Sequence, residues 1–166
     1  MYEALFLSGH VALEGFLEEL FLGLLVNGRG VESSRGDIVA RVELRSYSVA
    51  RELITGAGRR YVDWLPYERT VDLAKLFFRG ARPFGELSAS QRGVLLRCHT
   101  IRNAIAHRSR YSLNQFERHV IGSTPLPPNE RHPAGYLRGF FRTSPAQTRF
   151  SNLLAQFLLI ARDLAR

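Results

Sequence analysis

Arg102, Asn103 and His107 stand together in the run Arg102-Asn-Ala-Ile-Ala-His107 and carry side chains suited to an anionic substrate. Histidine exchanges a proton near neutral pH. The planar guanidinium of arginine grips oxyanions through paired donors. On a helix of 3.6 residues per turn, Val94, Cys98, Ile101 and Ile105 share a stripe that faces the chain's own core. Asn103 and His107 are four apart and stand one above the other, with His107 roughly 150° from the centre of that stripe. His99 lies one turn before Asn103 on the same side, where a solvated polar face accounts for it. Arg102 lies between the two faces. The row therefore points away from its own core, toward water or a second subunit. Arg97, Arg108 and Arg110 surround it, and no acidic residue occurs between Gln91 and Phe116.

The elements that must hold this run read as helical almost throughout. The segment from Tyr2 to Val26 sets Leu13, Phe16, Leu17, Leu20, Phe21 and Leu24 at helical spacing, and a polar connection, 27–36, follows with Gly28 and Gly30 as stop signals. A second helix is expected from an N-cap at Asp37, with Val39, Val42, Leu44, Val49 and Leu53 as its apolar side. A third is expected over 61–78, interrupted at Pro66, which cannot donate into a helix interior. Ser88-Ala-Ser-Gln91, Ser112-Leu-Asn-Gln115 and Ser144-Pro-Ala-Gln147 all fit the S-x-x-Q capping box. They predict helices over 88–108, 112–121 and 145–165. Between the last two, residues 122–143 hold four of the seven prolines together with Arg131, His132, Arg138 and Arg142. A loop of that size is suited to act as a lid. The fold expected is all-α, a bundle of about four to six helices.

Length and composition bound the function. The chain has 166 residues, 45% hydrophobic and 23% charged, consistent with a single globular domain over 1–166. The one cysteine, Cys98, rules out an internal disulfide framework and a cysteine-cluster zinc site, and it fits a reducing compartment. The five histidines lack clustered carboxylate partners, so no metal site and no cofactor are expected. The N-terminus has no basic region of the signal-peptide kind, and Glu14, Glu18, Glu19 and Gln156 interrupt the longest apolar stretches. A cytoplasmic chain that does not span a membrane is expected. The net charge of +8 suits an anionic partner, most often nucleic acid. Residues 1–83 hold 11 basic and 11 acidic side chains, whereas 84–166 hold 12 basic and 4 acidic, so the whole excess lies in the half that carries the motif.

Arg-Asn-x-x-x-His at the end of a helix, in a small basic helical chain, resembles the HEPN superfamily, and Ile101-Arg-Asn-Ala-Ile-Ala-His-Arg108 follows its preference for Asn after the Arg. The resemblance extends in character to the opening helix, HVALEGFLEEL, and to the terminal helix after GYLRG. It looks nearest to prokaryotic members of toxin and defence loci. The resemblance implies a symmetric homodimer formed through the motif-bearing helix. It also implies a metal-independent endoribonuclease that attacks RNA with the neighbouring 2′-OH. His107 would then be the base, Arg102 the phosphate clamp, and Asn103 the group orienting the imidazole or bonding the phosphate. Arg97, Arg108 and Arg110 would contact the RNA backbone and Tyr111 would stack a base, with no specificity for DNA. An antitoxin or other partner protein is a possible companion, and a non-catalytic RNA-, nucleotide- or protein-binding module is the alternative. Where some family members carry a modifiable Tyr two residues after the His, this chain has Ser109. The same loose spacing also fits Arg92 and His99.

Overall fold

The computed structural model describes residues 1–26, 29–31, 38–56 and 61–166. Its architecture is all-α, as expected. Among the described residues there are seven α-helices: α1 (Tyr2–Val26), α2 (Tyr47–Thr55), α3 (Tyr67–Phe77), α4 (Ala89–His107), α5 (Arg110–Phe116), α6 (Pro133–Arg138) and α7 (Arg149–Leu164). Two antiparallel hairpins accompany them, β1 (Arg29–Val31) with β2 (Ile38–Val39) and β3 (Phe140–Thr143) with β4 (Ala146–Thr148). None of the helices among the described residues is long and apolar enough to cross a membrane.

The chain divides into two compact units, Met1–Ala12 with Gly93–Leu159 and Leu13–Arg92 with Ile160–Arg166. The first buries Phe6, Leu95, Cys98, Ile101, Phe116, Leu137 and Phe157. Its rings meet in pairs, Phe6 with Phe157 at 6.3 Å and Phe116 edge-on to Tyr136 at 5.7 Å. Gly9 has a packing reason, since a Cβ there would lie 2.7 Å from Leu154 Cδ2. The second unit is organised on Phe21, whose ring centroid lies 5.0–5.2 Å from those of Trp64, Phe78 and Phe84. Phe21, Phe78 and Phe84 are fully buried, and each such side chain contributes about 1.5–3 kcal/mol of transfer free energy.

Several local expectations are redrawn. Asp37 lies outside the described residues. The second helix begins at Tyr47 and buries Ala50 and Ile54, while Val42, Val49 and Leu53 are exposed and Val39 belongs to β2. In so short a helix, the i, i+4 pair that faces inward is set by packing and not by the count of apolar residues. The chain before Pro66 is non-helical and α3 starts immediately after it, because proline drives the preceding residue into extended backbone. Ser112 does not start a helix: α5 begins at Arg110, and Ser109 Oγ accepts from the backbone N–H of Ser112 at 3.1 Å. Ser144 and Pro145 form the turn between β3 and β4, and Thr148 caps α7 by accepting from Ser151 N–H at 3.1 Å. Residues 122–143 are more structured than a loop. They contain a helical turn at Pro128–Glu130, α6 with Pro133 at its start, and β3. His132 and Arg131 fasten that segment: the imidazole accepts from Gly135 N–H and the guanidinium pairs with Glu117.

Candidate functional site

Helix α4 is fixed at its start by the expected box. The Ser88 hydroxyl accepts from Gln91 N–H at 3.2 Å, and the Gln91 carbonyl accepts from Ser88 N–H at 2.9 Å. Three of the four residues of the predicted stripe, Cys98, Ile101 and Ile105, are buried and are joined by Leu95 and Ala104, while Val94 is half-buried. Burial pushes the Cys98 thiol up to about 12, so it is a core group and not a nucleophile. The helix ends at His107 because Arg108 turns left-handed, with φ +47°. Such a backbone in a non-glycine residue stores on the order of 1–3 kcal/mol. The turn is held on both sides: Arg108 Nη2 donates to Glu3 Oε2 at 3.1 Å, and Ser109 caps α5.

This turn leaves the expected motif at the end of a helix, where its side chains reach one another. Arg102 Nη1 lies 3.3 Å from His107 Nε2 and donates to Asn103 Oδ1 at 3.1 Å. Asn103 Nδ2 lies 3.0 Å from His99 Nε2. Because guanidinium only donates, His107 Nε2 accepts in the first contact and the imidazole proton sits on Nδ1. The four residues form one polar relay, His99–Asn103–Arg102–His107. His107 is exposed at its open end, whereas Arg102, Asn103 and His99 are half-buried. Asn103 therefore does not touch the imidazole of His107. It holds the arginine that does.

The remaining expected residues divide. Arg110 and Tyr111 are exposed, Tyr111 to 73%, at the start of α5. Arg108 is exposed and shared with Glu3. Arg97 is placed elsewhere: it lies about 15 Å along the helix axis from His107 and hydrogen-bonds the Tyr136 phenol. Burial raises the pKa of that phenol, and the Arg97 and Arg149 charges pull it part of the way back. His99, read from sequence as a solvated side chain, is a member of the relay, and its ring centroid is 6.4 Å from that of buried His10. The i, i+4 spacing of His99 and Asn103 was the available signal.

Beside the relay is a cavity of about 270 Å³, lined by His99, Asn103 and His107 on α4 and by Ser109, Tyr111 and Gln115 on the cap and body of α5. Gln115 carried no sequence signal beyond its place in a capping box that does not form. Among the described residues, no three His, Cys, Asp or Glu side chains gather as a metal-binding group. Comparison with protein-family models, with curated proteins and with solved structures finds no match for this chain.

Proposed function

We propose that this protein is a metal-independent endoribonuclease of the HEPN type, acting as a homodimer in the cytoplasm, in the role of a toxin or defence effector restrained by a partner protein. The observation that supports this reading is the pairing of Arg102 and His107 at an exposed helix end, 3.3 Å apart, with Asn103 and His99 behind the arginine. His107 takes the proton of the ribose 2′-OH on Nε2, the lone pair that accepts from Arg102 in the free protein, once the substrate phosphate draws Arg102 away and the 2′-oxygen attacks phosphorus. Arg102 holds the non-bridging oxygens and stabilises the charge that builds on them. The bond from phosphorus to the 5′-oxygen breaks, and that oxygen receives a proton from the histidine of the second motif at the dimer interface. The products are a 2′,3′-cyclic phosphate and a 5′-hydroxyl. DNA, lacking the 2′-OH, is not a substrate.

Incubating a mixed RNA panel in EDTA with the wild-type chain and with His107→Ala tests this. Cleavage by the wild type that the variant lacks, leaving cyclic phosphate ends, is the expected result. Equal cleavage by both, or products bearing a plain 3′-hydroxyl and 5′-phosphate, overturns it.

A further inference from the structure

The cavity beside the relay has features that phosphate binding alone does not use. At about 270 Å³ it falls just below the usual range of ligand-sized clefts, which run from about 300 Å³ upward, so it suits one ring-sized group and not an oligomer. Most of its polar atoms already have partners. Thr100 Oγ1 donates to Leu96 O at 2.9 Å, Ser109 Oγ to Ser112 Oγ at 3.0 Å, and Ser112 Oγ to Ser109 O at 3.0 Å. Each of these hydroxyls has spent its only proton, so toward a ligand it can only accept. The Asn103 amide is engaged with Arg102 and His99. Gln115 differs. It is half-buried, lines the cavity, and among the described residues its carboxamide makes no hydrogen bond. The exposed Tyr111 ring stands on the same wall.

We propose that this cavity is a base-recognition subsite for an adenine next to the bond that His107 and Arg102 attack, with Gln115 as the specificity-determining residue. The assignment rests on the ribonuclease reading above. A carboxamide presents one donor and one acceptor side by side, which matches the amino group and ring nitrogen of adenine; cytosine carries the same pair on a smaller ring, and the purine gives Tyr111 the larger face to stack on. The acceptor-only hydroxyls favour a base with an exocyclic amino group over uracil, whose edge has a single N–H between two carbonyl oxygens that would meet them unpaired. Tyr111 supplies a face for the ring. The base must be unpaired to enter, so the substrate class is single-stranded RNA or a loop.

The test maps cleavage sites on a random-sequence RNA in EDTA for the wild type, Gln115→Ala and Gln115→Glu. The wild type should favour linkages flanked by adenine on one fixed side by about tenfold over uracil. Gln115→Ala should reduce that ratio to about twofold while His107-dependent cleavage persists at a lower rate. Gln115→Glu, which lacks the donor for the ring nitrogen, should fall between them. A wild-type preference for uracil, or an adenine preference that survives in Gln115→Ala, overturns the assignment. If the wild type cleaves no RNA, the ribonuclease reading fails on its own and binding decides the subsite. His107→Ala is then titrated with adenosine 3′-monophosphate and uridine 3′-monophosphate. Tighter binding of the adenosine nucleotide, lost when Gln115→Ala is added, upholds the subsite; equal or absent binding removes it.

Discussion

Two arginines on α4 precede a histidine at similar spacing, and the fold uses them in opposite ways. Arg92, near the start of the helix, donates to the carbonyls of Leu87 and Gly85 at 3.1 and 2.8 Å and reaches Glu68 at 3.4 Å. Its guanidinium is consumed in closing the turn that leads into the helix. Arg102, ten residues on, has Asn103 and His107 as its partners and no carboxylate among them. A guanidinium that already has backbone carbonyls and an acid as acceptors has little left for a phosphate. One held only by a neutral amide and an imidazole keeps donors and charge for a ligand. Both spacings fit the same loose pattern, seven residues in one case and five in the other, so the partners make the difference.

That contrast can be broken most sharply by exchanging each arginine for methionine, which keeps the stem and removes the head. Arg102→Met should lower RNA cleavage by about a hundredfold to a thousandfold with little change in the melting temperature. Arg92→Met should leave two carbonyls without their donor, cost about 2 kcal/mol of stability, and cleave RNA at a rate close to wild type once folded. Kinetics and thermal melts on the same preparations check both. A stability loss in Arg102→Met with full activity would reverse the assignment.

Cys98, between the two arginines on the inward stripe, gives a reporter for the same comparison. With its thiol held near 12 in the native state against an ordinary value of 9.0, the thiolate fraction at pH 8 should be about a thousandfold below that of the unfolded chain. A thiol reagent at pH 8 should therefore label the native wild type and Arg102→Met negligibly, and Arg92→Met faster in proportion to its more frequent opening. The sign of the linkage follows. The raised thiol contributes stability that is fully present below pH 9 and is lost as pH rises toward 12. Melting temperatures across pH 8 to 11, compared with Cys98→Ala, check this.

The smallest effects sharpen the contrast at the two ends of the helix. Ser88→Ala removes a real capping box and should cost about 1 kcal/mol. Arg108→Gly removes a side chain from a left-handed position and should return about 1 kcal/mol, offset in part by loss of the pair with Glu3. Denaturant melts resolve both. A stabilised Arg108→Gly with weaker RNA binding at low salt would also mark Arg108 as a phosphate contact.

The hydrophobic rows make most of the fold legible in the sequence. The apolar row of α1 and the stripe of α4 are local, repeating every 3.6 residues, and Ser88 with Gln91 marks a start that needs no distant contact. The other two S-x-x-Q runs fit the same pattern, yet each start lies a few residues away. Ser109 and Thr148 were available as caps, and the β3–β4 hairpin claimed Ser144. Four-residue motifs are too degenerate to choose between neighbouring serines and threonines. The exposed side of α2 was misread for a related reason: a helix with only two inward positions, Ala50 and Ile54, carries too short a repeat to fix its rotation.

For the site, sequence alone determined that Arg102, Asn103 and His107 sit on a helix with Asn103 and His107 turned from the core, because side-chain direction on a helix follows from the backbone repeat. Tertiary structure decided the rest. It set the helix end at His107 through a left-handed arginine that no glycine announced. It gave Asn103 to His99 and Arg102, took Arg97 away to Tyr136, and brought Gln115 to the cavity wall. These outcomes depend on which partners long-range packing brings within hydrogen-bond reach. A run of residue types does not encode that distance.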